Sequence, residues 1–192
     1  VELQARFEPT EMESVPGCGQ VTVATALATR IGDRRVTVRN RPGFEVRVDG
    51  VVFSPASPAP PLPVGASVEV SAGQLRLVWP DASSLTVDGE GPFLRATLSL
   101  AEARSGEISG LLGTFDGRVE NDLVLPDGAV IAQPADFATR YTVLAPAWRV
   151  GSSGGLFDYA EGEGPGFFDR DDFPSEAADP ASLPPDAVAE AT

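Results

Sequence analysis

Apolar and polar residues alternate over much of the first hundred positions, with the period of two that half-buried β-strands show. Val1, Leu3, Ala5 and Phe7, for example, alternate with polar neighbours. Similar patterns predict eight further strands, over residues 21–31, 35–39, 44–48, 51–53, 66–70, 75–79, 84–87 and 93–100. Turn residues recur about every 8 to 12 positions, which is typical of sandwiches and barrels. We therefore predict a mostly β fold: an antiparallel β-sandwich with short helical segments.

Two stretches of turn residues define connections between these strands. The Asp49-Gly50 pair predicts a two-residue hairpin. Residues 54–63 contain five prolines, so this backbone lacks half of the donors that a sheet needs. We interpret the stretch as a polyproline-like connection, with docking of a proline-reading domain as the alternative.

The end of the chain differs in composition from the rest. Residues 160–192 carry nine acidic residues, one arginine and repeated prolines. We therefore divide the chain into a β domain, 1–150, and an irregular, acidic, proline-rich extension, 151–192. Aromatic residues along the extension allow two interpretations: it either folds onto the sandwich through these side chains while its acidic residues face water, or becomes ordered only on contact with a partner. These residues are Phe157, Tyr159, Phe167, Phe168 and Phe173.

Composition excludes several functions. The chain has 28 acidic residues, 14 arginines and neither lysine nor histidine, for a formal net charge of −14. The absence of histidine excludes Ser-His-Asp and Cys-His catalysis, and the negative charge disfavours nucleic acid and anionic membranes as partners. No apolar run approaches the roughly 20 residues of a membrane span. Cys18, the single cysteine, is either a bridge to a segment outside this sequence or to another chain, or an inert thiol.

The segment 110–123 carries the candidate chemistry. Asp116, Glu120, Asn121 and Asp122 place four oxygen-bearing side chains within seven residues, and Gly117 permits a sharp turn after Asp116. Hard cations such as Ca²⁺ take about six to eight oxygens from carboxylates, amides and carbonyls, but the spacing does not match an EF-hand. The residues alone leave open a calcium site and a solvated turn.

The same segment resembles a known family. The stretch Gly-Leu-Leu-Gly-Thr-Phe-Asp-Gly at 110–117, with Glu-Asn-Asp at 120–122 and Pro-Asp-Gly at 126–128, is similar to the signature of the von Willebrand factor type D domain. Weaker similarities follow the family's order, at residues 3–9, 46–50, 148–150, 155–159 and 172–174. The resemblance covers residues 1 to about 174 and is specific around 110–128.

The resemblance implies a calcium site in this loop. The implied ligands are Asp116, the backbone carbonyl of Arg118, Asn121 and Asp122, with Glu120 ranked lower because its position varies in the family. Extracellular modules commonly bind Ca²⁺ with dissociation constants of about 10⁻⁴ to 10⁻³ M.

Two differences from the family pattern affect this expectation. Leu112 stands where the family has a characteristic cysteine, so the disulfide pattern of the animal members is absent. The family's opening motif and first strands, which include one calcium-ligating Asp, precede the position of Val1. We therefore expect a domain truncated at its N-terminus, with at least one ligand missing.

The resemblance implies a non-catalytic structural or adhesion module of a secreted or cell-surface protein, stabilised by calcium. Its partners would be other extracellular proteins, glycans or further domains of the same chain, without nucleic acid or membrane insertion. A composition with arginine but no lysine, rich in Ala, Pro and Gly, indicates a bacterial source. A lipid or protein carrier is a third interpretation.

A rival interpretation is a carboxylate-based β-sandwich hydrolase that acts on glycans. Its candidate acid pairs are Asp116 with Asp122, and Asp169 with Asp172. Aromatic residues that would line a glycan cleft, such as Trp79 and Trp148, fit core positions better. The run at 169–172 also allows a second cation site, against the ordinary interpretation of a solvated acidic loop.

Overall fold

The structure is a computed structural model that describes residues 2–11, 20–40, 43–54, 56–58, 60–91 and 93–168. Cys18, Phe173 and the acidic run 169–172 lie outside the described residues. The predictions made for them therefore stay predictions, as does the division of the chain at residue 150.

The part of the chain that the structure describes forms nine β-strands in two antiparallel sheets, which confirms the predicted fold class. Sheet A contains β1 to β5 and sheet B contains β6 to β9, and in each sheet neighbours in the chain are also neighbours in space. The strands are β1 Leu3–Glu11, β2 Gln20–Ile31, β3 Arg34–Arg39, β4 Glu45–Val48, β5 Val51–Phe53, β6 Ser67–Ser71, β7 Gln74–Val78, β8 Ser84–Glu90 and β9 Phe93–Ser99.

The predicted Asp49-Gly50 hairpin joins β4 to β5. Both residues have positive φ, 49° and 81°, as a type I′ turn requires. The Asp49 carboxylate stabilises the turn because it accepts hydrogen bonds from Arg34 Nη1 at 2.7 Å and from the backbone N–H of Arg35 at 2.9 Å. The described residues of the proline-rich stretch 54–63 form no strand, as expected for a connection.

The hydrophobic core lies between the two sheets. In both sheets, apolar side chains that face inward alternate along the strands with residues that face outward. The inward side chains of the two sheets pack together in one buried cluster. Trp79 is 3% exposed in this core and its indole Nε1 donates to the carbonyl of Arg30 at 2.7 Å. Of the largest fully buried apolar side chains, those in this core are Ile31, Leu75, Leu77, Leu85, Val36, Val38, Val46 and Val87.

The chain beyond β9 is built from short helical segments and loops. Two α-helical turns, Phe137–Thr139 and Ala145–Ala147, flank the π-helical turn Arg140–Leu144. Asp136 begins this run as its N-cap, because its carboxylate accepts from the backbone N–H of Thr139 at 2.7 Å. Further 3₁₀ turns are Glu102–Arg104, Val119–Asn121, Ser152–Gly154 and Pro165–Phe168.

Residues 154–168, which we name the C-terminal strap, lie on the outer face of sheet A. The guanidinium carbon of Arg6 on β1 lies 3.5 Å from the ring centroid of Phe168 and 5.9 Å from that of Phe157. Leu156 is buried, with 1% of its surface exposed. Phe157 and Phe168 therefore contact the sandwich through Arg6. The expectation that the acidic residues of the extension face water is wrong for Asp158, whose side chain is 3% exposed and pairs with Arg35.

Candidate functional site

The predicted metal-binding segment forms a compact loop between β9 and the helical run. Gly113 and Gly117 have φ values of +88° and +79°, and Phe115 between them has φ of +57°. Glycine adopts this left-handed backbone region at low cost, so the two glycines let the chain reverse direction twice within a few residues. The reversals fold residues 120–122 back towards Thr114.

Asp116 lies at the centre of the loop. Its Oδ1 accepts from the backbone N–H of Arg118 at 2.9 Å, and its Oδ2 accepts from the side-chain amide of Asn121 at 2.7 Å. The Asn121 hydrogen bond, followed by that from Arg118, lowers the pKa of the Asp116 carboxyl below its ordinary value. Asp116 is therefore ionised at neutral pH.

Asp122 lies on the other side of Thr114. Its Oδ1 accepts from the backbone N–H of Thr114 at 3.1 Å and lies 3.4 Å from the Thr114 hydroxyl. That hydroxyl is also 3.3 Å from the side-chain oxygen of Asn121. Thr114 therefore connects Asn121 with Asp122, and Asn121 connects Thr114 with Asp116.

The loop is fastened to the rest of the fold at several points. The backbone N–H of Gly106 donates to the carbonyl of Thr114 at 3.1 Å, and the Ser105 hydroxyl donates to the carbonyl of Phe115 at 3.0 Å. Trp148 is half-buried outside the core between the sheets, and its indole N–H donates to the carbonyl of Val124 at 2.8 Å. The side-chain amide of Gln133 donates to the carbonyl of Val119.

The structure brings together three of the five predicted ligands. Asp116, Asn121 and Asp122 share one hydrogen-bonded network. The carbonyl of Arg118 accepts a long bond, 3.4 Å, from the backbone N–H of Asn121. Glu120 is exposed, and no contact of the described residues joins it to the network.

The donor set of this network is of the type that Ca²⁺ prefers. It contains two carboxylates and an amide oxygen within one turn, together with backbone carbonyls. Within the described residues, no three or more Asp, Glu, Cys or His side chains are grouped so as to hold a metal ion. A cation at this loop would therefore take its remaining oxygens from Asn121, carbonyls and water.

Two antiparallel sheets followed by an acidic, glycine-supported loop define a β-sandwich module. The sequence matches the family model of the von Willebrand factor type D domain over residues 6–129, and the chain belongs to this family. The match includes all nine strands, from Arg6 of β1 onward, and the whole loop. The similarities noted at 148–150, 155–159 and 172–174 lie beyond the matched residues.

The family assignment gives the general class of function. Von Willebrand factor type D domains are non-enzymatic modules that occur in extracellular proteins and mediate protein interactions. No helix formed by the described residues has the length and apolar character needed to cross a membrane.

Sequence reasoning missed two features of the molecule. Thr114 lies inside the motif at 110–117, and its N–H and hydroxyl join the predicted ligands Asp122 and Asn121. The sequence pattern does not indicate this role. The ionic contacts of the C-terminal strap were missed as well. The signal for them was the alternation of Arg35, Thr37 and Arg39 on the outer face of sheet A, which indicates an acidic covering segment.

Proposed function

We propose that this chain is a non-catalytic structural and adhesion module of a secreted or cell-surface protein, stabilised by Ca²⁺ at the loop 113–122. The proposed ligands are Asp116, Asn121, Asp122 and the carbonyl of Arg118, with Glu120 at the periphery. The proposed partners are other extracellular proteins, glycans or further domains of the same chain. The module would be of bacterial origin.

The observation that carries this proposal is the closure of the loop around Asp116. Asn121 lies five positions after Asp116, yet its amide is 2.7 Å from the Asp116 carboxylate. Asp122 points back to Thr114 in the same turn. A cation would neutralise the carboxylates of Asp116 and Asp122. It would also strengthen the closure of the loop, which rests on hydrogen bonds that contribute about 1 kcal/mol each.

The expected stabilisation follows from mass action. A ligand that binds only the folded state contributes RT ln(1 + [L]/Kd) to the free energy of unfolding. With a Kd of about 10⁻⁴ to 10⁻³ M, 10 mM Ca²⁺ contributes about 1.4 to 2.7 kcal/mol. For a chain of this size, that corresponds to a rise in Tm of about 3 to 10 °C.

Thermal unfolding of the unmodified chain and two variants tests the proposal. We expect 10 mM CaCl₂ to raise the Tm of the unmodified chain by about 3 to 10 °C relative to EDTA, and equimolar MgCl₂ to have a smaller effect. Asp116→Asn should lose most of the calcium effect because one ligand charge is removed. The matched control is Asp127→Asn, since Asp127 is an exposed turn carboxylate that accepts from the N–H of Ala129 at 3.0 Å outside the network. Equal Tm values with CaCl₂ and EDTA for the unmodified chain would contradict the calcium part of the proposal.

The rival hydrolase gains no support from the site. A general acid needs a raised pKa, whereas hydrogen bonds lower the pKa of Asp116. The other proposed pair, at 169 and 172, lies outside the described residues.

A further inference from the structure

The outer face of sheet A carries an excess of positive charge, although the chain as a whole has a net charge of −14. Period-two alternation and the strand register place arginines from β1, β3 and β4 on this one face, while their neighbours in the sequence face the core. The arginines are Arg6, Arg35, Arg39 and Arg47, and two glutamates, Glu8 and Glu45, accompany them.

The C-terminal strap is complementary to this face. Residues 154–168 contain three acidic residues and no basic residue. Asp158 pairs with Arg35 at 2.9 Å between Oδ1 and Nη2, and Glu163 pairs with Arg39 at 2.9 Å between Oε2 and Nη1. Arg6 completes the contact through its cation–π stacking on Phe168.

The backbone of the strap is held by side chains of the sheet. The N–H of Leu156 donates to Gln4 Oε1 at 2.9 Å, the N–H of Asp158 donates to the Thr37 hydroxyl at 2.9 Å, and the carbonyl of Gly154 accepts from Gln4 Nε2 at 3.0 Å. The strap is therefore held by side-chain contacts to its backbone, and it does not extend the sheet.

The connection between the strap and the preceding helical run has the composition of a flexible linker. Residues 151–155, whose last two begin the strap, read Gly-Ser-Ser-Gly-Gly, and Ser152–Gly154 form a single 3₁₀ turn. Gly/Ser sequences impose little stiffness, so the strap can leave and return without a change in the strands. A segment joined in this way can be exchanged for an identical segment of another molecule, as in domain swapping.

We propose that the arginine-rich outer face of sheet A is a binding surface for acidic, aromatic peptide segments. In a single chain its own strap occupies the surface, and in a pair of chains the strap of the second copy occupies it. The surface does not depend on calcium at the loop 113–122, so this proposal and the proposed function fail or stand separately.

Charge reversal across the Arg39–Glu163 pair tests exchange between two full-length chains. Arg39→Glu places two carboxylates opposite each other within one chain, and Glu163→Arg places two guanidinium groups opposite each other. Each variant alone should be monomeric, with its linker 151–155 cut at least 10-fold faster by a broad-specificity protease than in the unmodified chain. Mixed at equal concentration, the two variants should form a heterodimer, because both exchanged pairs then have opposite charges. Light scattering coupled to gel filtration at low ionic strength measures the mass.

Two controls test whether heterodimer formation depends on the Arg39–Glu163 pair. The double variant in one chain should be monomeric and as protease-resistant as the unmodified chain. Arg76→Glu, on the outer face of sheet B, mixed with Glu163→Arg should give no heterodimer. A restored double variant together with a mixture that stays monomeric would overturn the proposal, because the strap would then act only within its own chain.

A second measurement applies if either charge-reversed variant fails to fold. A protease site inserted after Gly151 of the unmodified full-length chain allows the linker to be cut after folding. We expect a fluorescent synthetic peptide of residues 154–168 to replace the cleaved segment, with an affinity at least 10-fold weaker at 500 mM than at 50 mM NaCl. The same peptide with Asp158→Asn and Glu163→Gln should bind at least 10-fold more weakly. Failure of the labelled peptide to enter the cut chain at either salt concentration would overturn the proposal.

Discussion

Asp158→Ala is expected to destabilise the fold by about 3 kcal/mol, because it removes the carboxylate that joins the strap to sheet A at two points. The side chain of Asp158 is only 3% exposed. Its carboxylate pairs with Arg35 at 2.9 Å and accepts from the backbone N–H of Gly50 at 2.8 Å. Alanine leaves that N–H without its acceptor and a cavity beside the β4–β5 hairpin. Urea denaturation followed by circular dichroism measures the loss.

The control for this prediction is an exposed ion pair between Arg34 and Asp49, the residues that precede Arg35 and Gly50. Arg34 and Asp49 are 2.7 Å apart, but their side chains are 39% and 34% exposed. Water screens such a pair, so Arg34→Met should cost less than about 1 kcal/mol. Asp158→Asn, which keeps the shape and one acceptor, should lie between the two. Equal losses for Asp158→Ala and Arg34→Met would show that the strap contributes nothing to the stability of the sandwich.

The strands were predictable because their signals are local. Each strand alternates between two environments, and glycine, proline or Asp-Gly marks its ends. The hairpin at Asp49 and Gly50 is one example, since a type I′ turn requires positive φ at both positions. Consecutive antiparallel pairing then follows from the short connections.

The strap was only partly predictable because its partners lie far away in the sequence. Its aromatic residues allowed the interpretation that the strap packs on the sandwich. The contact between Asp158 and Arg35 was not predictable, because the two residues are separated by more than a hundred positions. Arg35 and Arg39 on β3 could pair with any of the many acidic residues, so the charge pattern alone does not select a partner. Only the three-dimensional arrangement selects Asp158 and Glu163.

The candidate metal-binding loop 113–122 was more predictable from the sequence than the strap, but less predictable than the strands. The sequence indicated Asp116, Asn121 and Asp122 as a group, because the glycines around them permit a tight turn. It did not indicate that Thr114 would connect them, since a hydroxyl has no positional signature until the backbone has turned back on itself. Glu120, which is equally acidic, is exposed and, within the described residues, makes no contact with the network, because neighbouring side chains of a 3₁₀ turn, with three residues per turn, project in different directions.

Gly113→Ala is expected to cost about 2 to 3 kcal/mol and to remove the calcium effect on Tm. A Cβ atom at Gly113 would lie 2.5 Å from Asp122 Oδ1 and 2.8 Å from its Cγ, so the carboxylate must rotate away. The rotation breaks the hydrogen bonds with Thr114, and the left-handed backbone at φ of +88° adds strain for an L side chain. Hydrogen exchange at the Thr114 amide reports the local opening, and thermal unfolding with CaCl₂ and EDTA reports the lost calcium effect.

Gly117→Ala is the matched control for this prediction. Gly117 has a similar φ of +79°, but a Cβ atom there would meet nothing within 4 Å. The Gly117→Ala variant should therefore lose only about 1 kcal/mol through backbone strain, while the contact between Asp122 and Thr114 stays intact. If Gly113→Ala and Gly117→Ala cost the same and both retain the calcium effect, the position of the Asp122 carboxylate has no part in binding. If only Gly113→Ala loses the effect, the carboxylate must occupy the position in which Thr114 holds it.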